Sequence, residues 1–265
     1  MTKIRMTNFV LYAIPQFQTL LTVLVRVAGI LAAFPVLGSR VVPLQIKVGL
    51  VITIGLILMP IVKVPLLPDD PYLTGLGLVS EFVIGMALGL ASRIVFGGIE
   101  LAGEVVGHQM GLAVVQLFDP TAQAQVPLIS HFQTILASLV FLSINAHFIV
   151  VEAIATSFDL VPPFGAGLSA TLAEDVLRYS QGMFVLALKI AAPVMATMLL
   201  INLLMAILGR TVSQLNVFIL SFPITITIGL LVMGAAMPVT VGLYQSEFQN
   251  LAGAFAKILA SLGAP

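Results

Sequence analysis

Cysteine and tryptophan are both absent from this chain, and charge is scarce. Without cysteine there is no disulfide, no thiolate metal site and no thiol nucleophile. Without tryptophan, anchoring at a membrane surface falls to the four tyrosines and to Lys/Arg. Only 8% of residues are charged, against about 25% in a soluble domain. That is too little charge to coat a globule of 265 residues, so the surroundings must be largely lipid or other apolar protein. Basic and acidic residues cancel at 11 each, and no excess of either sign points to nucleic acid. What remains is oil: 60% of residues are hydrophobic and mean hydropathy is +1.16.

The apolar residues fall into runs of helical length, so the fold class expected is all-α, a membrane-associated bundle of long, kinked helices and hairpins. The first run, about residues 8–37, follows Lys3 and Arg5 in the manner of a signal peptide. It is too long for a signal h-region and is expected to be a retained helix. Leu44 to Met59 is a short run, and the proline-rich stretch 60–72 reads as an exposed connection. From Leu73 the pattern continues into a glycine-striped helix expected to reach Gln116. A further helix is expected over Val126 to Phe158. Another should start near Ser169, a plausible N-cap, and run to Leu208 with a kink at Pro193. Val217 to Val241 is interrupted by Pro223 and Pro238. In the tail, Phe248, Leu251, Phe255, Ile258, Leu259 and Leu262 follow helical spacing. A bilayer span takes about 20 apolar residues, and five or six segments reach that length.

Charges interrupt this pattern. Arg26, Lys47, Glu81, Arg93, Glu100, Glu104, Glu152 and Lys189 lie in or beside apolar runs. Each costs about 2.5–3.5 kcal/mol at a bilayer centre. They fit helices that face protein or a hydrated lumen, while Arg26 and Lys189 are equally suited to snorkelling near helix ends.

The densest polar stretch is Gly97 to His131. Gly103, Gly107 and Gly111 stand four apart, as do Gly85 and Gly89 upstream, and such stripes let a second backbone approach closely. Asp119-Pro120 then breaks the helix. A polar loop at membrane depth is tolerated only inside protein or beside a watery cavity. Glu100, Glu104 and His108 share one helix face. No second motif completes a metal ligand set there. A proton relay is the better functional alternative, and polar contact with neighbouring subunits is the plainer one. No Gly-x-Ser-x-Gly, His-Glu-x-x-His or phosphate-binding glycine motif occurs, so no enzyme is expected.

Three blocks, Ala102 to Pro120, Phe141 to Phe164 and Ala192 to Val232, together resemble the FliR/SctT family of type III export gate subunits. The Gly-x-Gln-Met-Gly at 107–111, followed by Asp119-Pro120, and the Gly-Arg-x-x-x-Gln-Leu-Asn-x-Phe at 209–218 carry the resemblance. Ala146 before His147 and Ser213 before Gln214 depart from the usual residues. The Gln-Leu-Asn-Val-Phe wording favours the flagellar branch. The resemblance implies a core subunit of the flagellar export gate in the bacterial inner membrane, at the basal body and partly projecting to the periplasmic side. It implies FliP, FliQ, FlhB and FlhA as partners, unfolded export substrates as cargo, and no cofactor or metal. It divides the chain into a FliP-like part, 1–167, and a FliQ-like hairpin with tail, 168–265. It also implies a pore plug over about 109–125, with Gln109, Met110, Leu112, Gln116, Leu117, Phe118, Asp119 and Pro120. Assembly and helix packing are expected to use Gly85, Gly89, Gly103, Gly107, Gly111, Glu100, Glu104, Arg210, Gln214 and Asn216. The rival reading is a secondary transporter coupling ions through Glu100, Glu104 and Lys189.

Overall fold

A computed structural model describes residues 2–35, 42–62, 64, 70–112, 128–165, 170–211 and 216–263. Among these residues there are helices and no strands. The helices are α1 (Thr2–Ala33), α2 (Leu44–Leu58), α3 (Pro71–Gln109), α4 (Leu128–Ser143), α5 (Ala146–Leu160), α6 (Ala170–Thr211) and α7 (Val217–Gly263). The all-α class expected from the apolar runs is what the chain adopts. Four segments are long and apolar enough to cross a membrane: 15–33, 71–109, 173–211 and 220–263. The broken pair α4 and α5 makes a fifth if counted together. At 15 residues, α2 is shorter than a span requires.

Three expectations need correction. α3 stops at Gln109 and not at Gln116, because Gly111 adopts φ 80°. That left-handed geometry is open to glycine and ends a helix. Gly111 is therefore a turn residue and not a member of the helical stripe. The helix expected over 126–158 is two helices. Asn145 sits between them at φ 58°, a conformation asparagine tolerates better than most residues. Pro223 and Pro238 lie inside one continuous helix, α7; apolar helices absorb prolines where neighbours re-satisfy the backbone. The N-cap expected at Ser169 lies outside the described residues.

The chain forms two compact units. Unit 1 comprises residues 1–93, 145–179 and 250–265, and unit 2 comprises 94–144 and 180–249.

In unit 1, α1 lies directly on the first half of α3. A Cβ at Gly29 would overlap Phe82 O, at Gly85 it would overlap Arg26 O, and at Gly89 it would lie 2.5 Å from Ile30 O. This contact buries Arg26 and Glu81 completely. Arg26 Nε donates to Glu81 Oε2 at 2.6 Å, Nη1 to Ser157 Oγ at 3.0 Å, and Nη2 to Val161 O at 3.1 Å. The guanidinium carbon also stands 3.9 Å from the centroid of the Phe158 ring. The remaining oxygen of Glu81, Oε1, accepts from Phe164 N at 3.1 Å. Phe164 is held at φ 65°, and its ring fills the space left by the missing side chain of Gly77. Arg26 therefore does not snorkel. It anchors α1, α3, α5 and the turn after α5 at one point. The α7 tail closes this unit, with Leu251, Phe255, Ile258, Leu259 and Leu262 each at most 2% exposed, as their spacing predicts.

Unit 2 is built on the second half of α3, α4, α6 from residue 180 onward and α7 up to residue 249. Phe96, Phe141 and Phe248 form a ring cluster with centroids 5.2–6.0 Å apart. A methionine-rich core adjoins the end of α3: Val106, Met110, Ile129, Ala191, Val194, Met198, Ile201 and Met205.

Removing one member of a buried ion pair strands the other charge and costs about 3–5 kcal/mol. Arg26→Met and Glu81→Leu should therefore each abolish most folded protein, while the double replacement recovers a substantial part. Detergent-solubilised yield and thermal unfolding read this out; equal losses in single and double variants would refute it. Gly85→Ala should cost about 1–3 kcal/mol or more through overpacking. Gly107→Ala meets only Ile129 at 3.9 Å and should be neutral or stabilising by the same measurement.

Candidate functional site

α3 ends at Gln109 and α4 begins at Leu128, and the expected plug falls between them. Its base can be built residue by residue within unit 2. Met110 N donates to Val106 O and Gly111 N to His108 O, both at 3.0 Å. These bonds satisfy the last carbonyls of α3 as the chain turns through Gly111. Met110 itself is 0% exposed. Its side chain lies against Gly229 of α7, where a Cβ would come within 2.7 Å of Met110 Cγ. Thr225, one turn earlier on α7, clasps the same residue. Its Oγ1 stands 3.0 Å from Met110 O and 3.0 Å from Ser221 O of its own helix. Phe222 O lies 3.2 Å away as well, so one hydroxyl hydrogen faces three carbonyls and ties the end of α3 to α7.

The returning arm is held to the departing one. Ser130 Oγ donates to Glu100 O at 3.0 Å. Gly103 lets the Ser130 backbone approach so closely that a Cβ would clash. Ile129 is buried in the same core as Met110. Both arms are thus pinned, while the core beneath them is rich in methionine. Thioether side chains repack more readily than branched ones, so this base can hold its hydrogen bonds while its packing adjusts.

The expected site residues divide clearly. Gln109 and Leu112 are half-buried and Met110 is buried. Met110 thus belongs to the packed base of the segment. Gln116, Leu117, Phe118, Asp119, Pro120 and Gln214 lie outside the described residues. Gly85 and Gly89 serve the close approach of α1 to α3, and Gly103 that of α3 to α4. Glu100 is exposed and Glu104 half-buried. The exposed His108 places Nδ1 2.7 Å from Glu104 O. Arg210 and Asn216 are exposed. Among the described residues no group of His, Asp and Glu is arranged to hold a metal. Lys189 lines an apolar groove of about 410 Å³ with Pro193, Val232, Val239 and Leu243, and no carboxylate is among the lining residues. Thr225 and Gly229 were not singled out in the sequence. The signal available was a threonine and a glycine four apart, sharing one face of an otherwise aliphatic run.

Comparison with known proteins shows sequence similarity over most of the chain. The profile of the family described as Bacterial export proteins, family 1, matches residues 17–251. The chain is 28% identical over 239 residues to the flagellar biosynthetic protein FliR of Escherichia coli (strain K12), covering 90% of this chain and 92% of that protein. It is 30% identical over 238 residues to FliR of Pectobacterium carotovorum subsp. carotovorum, covering 90% and 91%. It is 29% identical over 254 residues to FliR of Bacillus subtilis (strain 168), covering 93% and 96%.

Thr225→Val should loosen the base of the segment. Losing one such hydrogen bond costs about 0.5–1.5 kcal/mol, so local opening should rise about fivefold. Limited proteolysis within 113–127 is the measurement, with cleavage at the wild-type rate as the contrary result.

Proposed function

This chain belongs to the bacterial export proteins, family 1, and from that membership we propose that it is a core subunit of the flagellar type III protein export gate. It is a membrane-embedded export protein, with four helices long and apolar enough to span a bilayer. In the finer reading, it helps to form and close a conduit for unfolded export substrates. It does so together with FliP and FliQ subunits, in contact with FlhB and FlhA, at the basal body in the bacterial inner membrane, partly projecting to the periplasmic side. Residues 1–167 act as the FliP-like part and 168–265 as the FliQ-like hairpin and tail. The role is structural and not enzymatic.

The observation that carries this reading is the near-full-length similarity to FliR proteins, joined to the anchoring of the central segment. A closure element needs a fixed base and a deformable body. The hydrogen bonds of Thr225 and Ser130 supply the first, and the methionine-rich core beneath them allows the base to adjust. Leu117 and Phe118 are the residues proposed to fill the conduit, beyond Leu112, which packs against the core. In this proposal the polar Gln116 and Asp119 face water or neighbouring loops. Large exposed apolar surfaces on α6, among them Phe184, Leu199, Leu203 and Ile207, suit burial against sibling subunits as well as lipid.

Deleting residues 113–118 spares Met110 and its clasp. The export complex should still assemble, while cells become permeable to small ions and metabolites. Fluorescent-dye or ion influx measured beside complex yield makes the test; normal complex with unchanged permeability would remove the closure role.

A further inference from the structure

Among the described residues, two buried polar atoms of unit 2 have no hydrogen-bond partner: Gln133 Oε1 on α4 and Tyr244 Oη on α7. Gln133 is 4% exposed and Tyr244 0%. Both side chains line one small cavity, with Val106, Pro193, Met237 and Thr240 also on its wall. The cavity offers about 10 Å³ to the centre of a water molecule, close to the minimum of about 10–15 Å³ that one water needs. No charged side chain lines it, so an ion has no counter-charge there.

The donor and acceptor inventory suits water. A glutamine carbonyl oxygen only accepts, whereas a phenol both donates and accepts. A water can donate one hydrogen to Gln133 Oε1 while accepting from, or donating to, the Tyr244 hydroxyl. Thr240, itself buried, adds a further hydroxyl to the wall. An apolar filling would leave both orphan atoms unsatisfied in a low-dielectric interior, which native proteins avoid. We propose that this cavity is a hydration site, in which one structural water joins Gln133 of α4 to Tyr244 of α7.

The position gives the site a consequence. Val106 lies one turn before Met110, and Gln133 lies in the second turn of α4. The water therefore sits where both arms of the central segment meet α6 and α7. It adds a polar tie to a joint otherwise dominated by apolar packing. This inference rests on the cavity and its orphan atoms, and is independent of the gate role.

The test uses the membrane-extracted particle that contains this chain. A density map at a resolution that shows ordered water should reveal one peak within hydrogen-bond distance of Gln133 Oε1 and Tyr244 Oη. A dry cavity, or a direct bond between the two side chains, overturns the proposal. Gln133→Leu and Tyr244→Phe, made singly and together, give a second readout. If one water serves both groups, each single change lowers the melting temperature by a few degrees, and the double change costs clearly less than their sum. Strict additivity overturns the shared site. Permeability of the cells tests only the gate reading, so failure of one leaves the other standing.

Discussion

The buried pair of Arg26 and Glu81 is the interaction on which unit 1 depends. Taking two charges out of water costs several kcal/mol per ion, and attraction compensates only when geometry is good and the remaining donors and acceptors are filled. Both conditions hold. The guanidinium donates to a carboxylate, a hydroxyl and a backbone carbonyl, and the second carboxylate oxygen takes a backbone N–H. Because those partners come from α1, α3, α5 and the turn after α5, the pair can form only when all of these elements are in place. It selects one arrangement among the many that greasy helices could adopt.

Glycine makes that arrangement reachable. Arg26, in the C-terminal third of α1, can meet Glu81 only if the two backbones lie unusually close. Gly29, Gly85 and Gly89 remove the side chains that would hold them apart. The charge pair and the small-residue contact are thus two halves of one device. Unit 2 uses a different principle. Its base is fixed by single hydrogen bonds from Thr225 and Ser130, and filled with adaptable methionine. One unit is keyed by charge, and the other is pinned lightly over a core that can yield.

Much of this was legible in the linear pattern. The helical class, the length of most segments and the buried face of the α7 tail all follow from periodicity and composition. Their cause is local: a helix repeats every 3.6 residues whatever it later touches. The errors were also local in origin. Asn145 and Gly111 look like ordinary members of an apolar run until their backbone angles are known, and Pro223 and Pro238 read as breaks although α7 continues through them. Of the residues expected to form a plug, Met110 is buried and Leu112 packs against the same core.

Composition alone determined that this chain belongs among lipid and protein and not in water, because so few charges cannot solvate so large a surface. Spacing alone pointed to close backbone contact at the striped glycines, which Gly85, Gly89 and Gly103 make and Gly107 and Gly111 do not. Only the tertiary structure decided which contacts those would be. Gly85 and Gly89 meet α1, and Gly103 meets α4, within the same chain. Likewise only the fold joined Arg26 to Glu81, 55 residues away, and to Ser157, 131 residues away. A sequence lists such groups in order, but whether a buried charge is stranded or satisfied depends on what lies within about 3 Å of it in space.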